Sequence, residues 1–446
     1  MIKKIEIKKL FGRFDYNLEF KDENIMIITG PNGYGKSTIL KIIYSIFCDR
    51  VEYINTFNFK SIVIYLNKSK IKIVKTEKGI EINDKLYTFP SVNDINEEYN
   101  HQLYIYSDDK NTDKDQEQQL ITSILRRRNT NIKEQMLISD ESFLPIFCYY
   151  WRLENRGKKM KKEIVSLIDL KSIIDKCKIE IGNISYIKEQ RLLSTRKKYK
   201  YGQIETLYYN TILLNSEKLK EEFEKLIIKH SKLSNELDRT FLERLFKSNK
   251  KSNKKQLEDE LNEVTNNQKA LKKYGLLKEN SSLRNLSQEN YNKYQAELSI
   301  YISDMKKKYE VFDSFIKQIE LYEEIVNNKL QFKKIELSIE KGIQVKTDDD
   351  KELELENLSS GEQNILVLYY SLIFESAANL IFIDEPEISL HIAWQDQFIG
   401  DLKKIINSIN NKLQVIIATH SIELALNNTD IQIDLGGVYN EKFYKR

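Results

Sequence analysis

Residues 25–38 constrain this chain more than any other stretch. Ile25-Met-Ile-Ile-Thr29 is a short apolar run of the buried-strand kind, and Gly30-Pro-Asn-Gly-Tyr-Gly-Lys-Ser37 follows it directly. Ile39, Ile42, Ile43 and Ile46 then recur at helical spacing. Strand, glycine loop and helix in that order fit the Walker A pattern of an α/β fold. Glycines permit positive φ, so successive backbone N–H groups can turn inward onto a phosphate, and the helix N-terminus adds partial positive charge. The spacing predicts a phosphate loop of Gly30, Asn32, Gly33 and Gly35. Lys36 then reaches the β and γ oxygens, Ser37 ligates Mg²⁺ and Thr38 bonds the α-phosphate. A plain glycine turn before an ordinary helix is the alternative; the buried strand ahead of it argues against that.

A second apolar run, Asn379-Leu-Ile-Phe-Ile-Asp384, ends in the acid pair Asp384-Glu385 before Pro386. Adjacent carboxylates at the end of a buried strand are costly unless a cation or hydrogen-bond donors receive them. The pattern predicts Asp384 facing Mg²⁺ and Glu385 acting as general base on an attacking water. His420 closes a third apolar run, Val415-Ile-Ile-Ala-Thr, where a γ-phosphate sensor is needed; a structural strand-end histidine is the rival reading. Gln190, ending Tyr186-Ile-Lys-Glu-Gln, is a candidate Mg²⁺ contact against the alternative of a surface glutamine.

Around these motifs the chain reads as strands at 2–10 and 16–20, strand-like text over 61–89, and a polar loop or insertion over 95–130. Helical patterns then lead to about 181, with a short strand at 184–187. Between 205 and 330 Lys, Glu, Asn and Leu dominate and proline vanishes. Leu219, Phe223, Leu226 and Ile227, and later Leu257, Leu261 and Val264, lie at helical spacing. The lysine-rich 248–255 interrupts them as a hairpin tip, and an arm of ~35 residues would project about 50 Å. After strand signals past Gly342, Leu358-Ser-Ser-Gly-Glu-Gln363 opens another helix, with Ser359 and Glu362 spaced as a capping box. The resulting expectation is an α/β nucleotide-binding head in two parts, 1–204 and 331–446, interrupted by an α-helical hairpin or coiled-coil insertion at 205–330.

Composition narrows the function classes. With 41% hydrophobic residues in 446 there is material for a large core. No apolar run approaches the ~20 residues of a membrane span, and no signal peptide precedes the first motif, so a cytoplasmic protein is expected. Three scattered cysteines offer no CxxC pair for zinc. Lys+Arg of 71 against Asp+Glu of 67 gives +4, so global charge decides nothing about nucleic acid. Local clusters at 126–128, 158–162, 196–200 and 247–255 leave DNA binding open.

The joint set of Gly30–Ser37, Leu358-Ser-Ser-Gly-Glu362, Asp384-Glu385 and His420 resembles the ABC ATPase superfamily. The helical insert and Asp384-Glu-Pro-Glu-Ile-Ser-Leu-His391 resemble its branch of SMC, RecF and OLD-like proteins. That resemblance implies ATP hydrolysis with Mg²⁺ and a homodimer, or a higher homo-oligomer, through ATP-bridged heads. In such a pair the signature residues Ser359, Gly361 and Glu362 of one copy meet ATP held by the other, and Ser389 and His391 form the D-loop. His391 stands where transporter relatives carry aspartate. With Ala393-Trp-Gln395, Leu10-Phe-Gly-Arg-Phe-Asp-Tyr16 and Glu189-Gln-Arg-Leu-Leu193, it resembles ATPase subunits of two-gene anti-phage systems of the PARIS type, and the Septu type shares many of these features. This implies a regulatory scaffold that controls a separate effector subunit, a nuclease, under a phage-encoded trigger. The alternative is a DNA-binding ATPase of repair or chromosome maintenance.

Overall fold

The computed structural model describes residues 1–21, 24–47, 51–89, 161–200, 203–247, 254–277, 293–375, 378–426 and 428–437. The expected loop at 95–130 and the basic clusters at 126–128 and 158–160 lie outside them. The chain forms two compact units: 1–208 with 375–402 and 410–446, and 209–374 with 403–409.

The first unit is built on two sheets. β1 (Ile2–Leu10) pairs antiparallel with β2 (Phe14–Glu19). Its other edge pairs antiparallel with β4 (Ser61–Leu66). The sheet continues through β5 (Lys70–Thr76), β6 (Gly79–Ile82) and β7 (Lys85–Tyr87) in the order β2-β1-β4-β5-β6-β7. The strand-like text at 61–89 thus belongs to one meander, and the alternating burial of β4 marks a sheet with one face in the core.

The second sheet holds the motifs. β3 (Ile25–Thr29), β8 (Asn183–Ile187), β14 (Ala378–Asp384), β15 (Gln414–Ala418) and β16 (Gln432–Asp434) align in the order β16-β3-β15-β14-β8, with every pairing parallel. β3 and β15 are buried at every residue, which explains why they read as continuous apolar runs and not as alternations. Leu10, Ile28, Ile39, Ile43, Leu380, Phe382 and Ile416 share one core with α1 (Lys36–Phe47) and α2 (Lys161–Ile181). Buried Gln414 ties the sheets: its side chain accepts from the Ile2 N–H at 2.8 Å and donates to the Ile2 carbonyl at 2.9 Å. β9 (Leu193–Lys200) and β10 (Gln203–Asn210) form a separate two-stranded sheet.

Among its described residues the second unit contains three long helices: α3 (Thr211–Lys247), α4 (Lys254–Lys273) and α5 (Gln295–Asn327). The sequence suggested a hairpin; α5 packs against both α3 and α4, adding a third member to the arm. Phe223 of α3 meets Phe315 of α5 edge to face at 5.0 Å. Farther out Arg244 of α3 grips buried Asp304 of α5 through both guanidinium nitrogens. A small antiparallel sheet of β11 (Lys333–Ser338), β12 (Gly342–Thr347) and β13 (Glu352–Leu353) follows, then α6 (Ser360–Ile373). Tyr322 of α5 donates to the Leu366 carbonyl of α6 at 2.9 Å. α7 (Ile392–Ile409) has its last residues, 403–409, in this unit, and α8 (Ile422–Leu426) belongs to the first.

Candidate active site

The parallel sheet brings β3, β14, β15 and β8 to a common C-terminal end, where ligands of open α/β sheets bind. Gly30 to Gly35 turn from β3 into α1. Gly33 has φ +84° with open space around its Cα, so its freedom serves conformation alone. Gly35 has φ +90°, and a Cβ there would lie 2.7 Å from Leu10 Cδ2. Asn32 is exposed on the loop, and Thr38 is half-buried on the first turn of α1.

Lys36 is almost wholly buried. Its Nζ donates to the Gly30 carbonyl at 2.9 Å and lies 2.6 Å from His420 Nε2. Burial pushes the Lys36 pKa down, opposed by Glu385, Glu387 and Asp384. Burial, then Lys36, likewise lowers His420, so its imidazole is neutral and Nε2 accepts from the ammonium. The 3.2 Å approach of Nε2 to Glu385 Oε1 is therefore not an ion pair, since that nitrogen is already an acceptor.

Ser37 and Asp384 come together from opposite ends of the sequence: Ser37 donates to Asp384 Oδ1 at 2.7 Å. These are hard oxygen donors of the kind that suit Mg²⁺. The second carboxylate oxygen is taken by Tyr186, whose hydroxyl donates to Oδ2 at 2.8 Å. Register explains this contact. Tyr186 of β8 pairs with Phe382 of β14, so it shares a face with Asp384 two residues on and reaches it diagonally. Burial first, then the Asp384 charge, raises the Tyr186 pKa and keeps the phenol a donor.

Glu385 begins the next turn at φ +48°, a left-handed conformation unusual outside glycine. Its N–H donates to the Ala418 carbonyl of β15 at 2.8 Å. Burial, then the hydrogen bond and charge of Glu387, push its carboxyl up to about 8, with Lys36 opposing. A base tuned close to neutrality suits proton transfer from water. Beneath the turn, buried Arg191 donates to the carbonyls of Glu385 and Pro386 at 3.0 and 3.1 Å. Desolvation lowers that guanidinium to about 10.

Gln190 is exposed and lines a 490 Å³ cleft with Asp384, Tyr186, Tyr44 and Lys188. Ser389 is exposed at φ +62°, and His391 Nδ1 accepts from the Ala393 N–H at 3.2 Å. In the second unit Ser359 is the N-cap of α6. Its hydroxyl accepts from the Glu362 N–H, and the Glu362 carboxylate accepts from the Ser359 N–H, completing the capping box. Lys333 of β11 clamps both Glu362 oxygens, at 2.7 and 3.0 Å, while Gly361 is half-buried one residue before Glu362.

Sequence reasoning missed Tyr186, Arg191 and Glu387. Tyr186 and Arg191 flank the noted Gln190, yet only the parallel pairing of β8 with β14 shows that they serve the acid pair. Glu387 sits inside the quoted Asp384–His391 motif, two residues past Glu385.

A family model described as an AAA ATPase domain matches residues 1–425. No curated protein matches the chain. Among solved structures the chain is similar to the Smc head domain with an extended coiled coil from Pyrococcus furiosus, bound there to the C-terminal domain of ScpA. That alignment has 15% identity and a TM-score of 0.36 over 96% of this chain and 91% of that one. The SMC head domain of Thermotoga maritima aligns at 11% identity and a TM-score of 0.33, again over 96% and 91%. An SmcHead bound to the C-winged helix domain of ScpA gives 12% identity and 0.35 over the same shares. No described helix is long and apolar enough to cross a membrane. The family match spans nearly the whole length: the chain belongs to the AAA ATPase domain family and is an ATP-hydrolysing enzyme.

Proposed function

We propose that this chain hydrolyses ATP as one half of an ATP-bridged pair of identical heads. The observation that carries the reading is the convergence of Lys36, Ser37, Asp384, Glu385 and His420 at one end of the parallel sheet. There Lys36–His420, Ser37–Asp384 and His420–Glu385 approach to 2.6, 2.7 and 3.2 Å. The loop of Gly30, Asn32, Gly33 and Gly35 receives the phosphates on its backbone N–H groups, with Thr38 on the α-phosphate. Lys36 exchanges its contacts with Gly30 and His420 for β and γ oxygens. Ser37 and Asp384, with Gln190 nearby, hold Mg²⁺, which supplies charge neutralisation for the phosphates when bound. Glu385 takes the proton of the attacking water, and His420 hydrogen-bonds the γ-phosphate.

The signature residues belong to the other half of the reading. Ser359 is exposed at the positive end of a 14-residue helix, a setting that attracts anions. Ser359 and Gly361 of each copy close over the ATP of its partner, Glu362 holds that turn in shape, and Ser389 and His391 lie along the same interface. Glu385→Gln sized with ATP and Mg²⁺ should run at twice the 52.9 kDa chain mass. Adding Ser359→Arg should return it to monomer while ATP stays bound. A monomeric Glu385→Gln protein in saturating ATP removes the pair from the account.

For the work that hydrolysis drives, we favour engagement of DNA by the arm. In the sequence, basic stretches at 196–200 and 247–255 come before and after the segment that forms α3. The second reading, control of an effector subunit in anti-phage defence, rests on the motif running from Asp384 to His391. ATPase activity stimulated by duplex DNA and falling steeply with salt supports the first. Unstimulated activity, with a co-purifying effector protein from host cells, supports the second.

A further inference from the structure

The turn that follows β14 is tied down more heavily than a loop between a strand and a helix requires. Glu387, two residues past Glu385, sends its side chain under the end of β15. Its Oε1 accepts from two consecutive backbone N–H groups, His420 at 2.7 Å and Ser421 at 3.0 Å. A single carboxylate oxygen receiving two amides is a charge-assisted anchor, about twice as strong as a neutral one.

Other bonds converge on the same two segments. The Glu385 N–H reaches back to Ala418 at 2.8 Å, and Arg191 holds the carbonyls of Glu385 and Pro386. The Ser421 hydroxyl donates to Gln395 Oε1 at 2.7 Å on α7. The segments 385–387 and 418–421 are therefore joined twice, main chain to main chain through Ala418 and side chain to main chain through Glu387. Every carboxylate–amide bond in that joint comes from Glu387.

We propose that Glu387 is a positioning residue that locks the His420 loop to the Glu385 turn, giving the γ-phosphate contact and the general base one shared geometry. The proposal rests on the hydrolysis reading above, in which both partners touch substrate. Glu387 acts on ATP only through His420 and Glu385. The acceptor oxygen at that reach makes the joint and its charge strengthens it and holds up the Glu385 pKa, so glutamine, which keeps a carbonyl oxygen in place without the charge, should substitute in part. Alanine removes the acceptor, and aspartate withdraws it by one methylene.

Steady-state ATPase and ATP affinity are measured for Glu387→Ala, Glu387→Gln, His420→Ala and the double variant Glu387→Ala/His420→Ala. Loss of an anchor of this strength should lower kcat of Glu387→Ala about 10- to 100-fold, with ATP affinity close to wild type. Glu387→Gln should fall between the two, clearly faster than Glu387→Ala and slower than wild type. The double variant should be no slower than the slower single, because both changes disable one unit. Wild-type kcat in Glu387→Ala overturns the proposal, as does equal loss in alanine and glutamine variants, or a double-variant loss equal to the product of the singles. Should Glu387→Ala not fold, Glu387→Asp replaces it with the same expected loss. If His420→Ala hydrolyses ATP at the wild-type rate, it is the sensor role of His420 that fails. If His420→Ala is slow and Glu387→Ala is not, only the positioning role fails.

Discussion

Glutamine at position 385 should change how stability depends on pH, and the structure sets both sign and size. The Glu385 side chain is 11% exposed, and burial with the adjoining Glu387 moves its pKa from 4.5 to about 8. Between those two values the folded chain keeps a proton that the unfolded chain releases. Stability is then greatest below pH 4.5, falls as pH rises through the window, and levels off above about 8. Each unit of the gap is worth about 1.4 kcal/mol, so crossing it costs at most about 5 kcal/mol. Glu385→Gln removes the ionisable group and with it this slope. The assay is urea unfolding of nucleotide-free protein in a metal chelator, followed by tryptophan fluorescence at intervals from about pH 5 to about pH 9. The variant should gain on wild type as pH rises, by several kcal/mol across the series. A difference that stays constant within about 0.5 kcal/mol at every pH would refute the reasoning.

Two further outcomes follow from single contacts. Gly35→Ala places a Cβ 2.7 Å from Leu10 Cδ2 at φ +90°, so it should weaken ATP binding and lower Tm together; calorimetric titration and thermal unfolding read the two effects. Tyr186→Phe deletes the donor to Asp384 Oδ2. A hydrogen bond to a charged group is worth about 1.5 kcal/mol or more. The Mg²⁺ concentration for half-maximal ATPase should therefore rise at least about tenfold, and an unchanged Mg²⁺ dependence would remove Tyr186 from any part in that site.

How far the sequence carries depends on how local each signal is. The glycine loop between β3 and α1 was readable because strand, loop and helix are contiguous and each part has its own pattern. The capping box at Ser359 was readable because both of its hydrogen bonds close within four residues. Tyr186 reaches Asp384 across 198 positions of chain, and no spacing rule records which strand lies beside β14. The same holds for Arg191, which as a lone arginine beside a leucine pair carries no sign that it will be buried beneath the turn after Asp384. Glu387 was visible as a letter of the motif, but its partners are main-chain amides, which every sequence offers everywhere. The packing of α5 against both α3 and α4 has no sequence signal for a related reason: amphipathic spacing says that a helix has a buried side, not how many neighbours share it.

On the proposed reading, ATP held by Lys36 is cleaved with Glu385 as base. ATP affinity and single-turnover hydrolysis measured together in Glu385→Gln decide this. Affinity should stay near wild type, with the cleavage rate reduced by at least about 100-fold. Cleavage at the wild-type rate, with ATP bound as before, would contradict that reading.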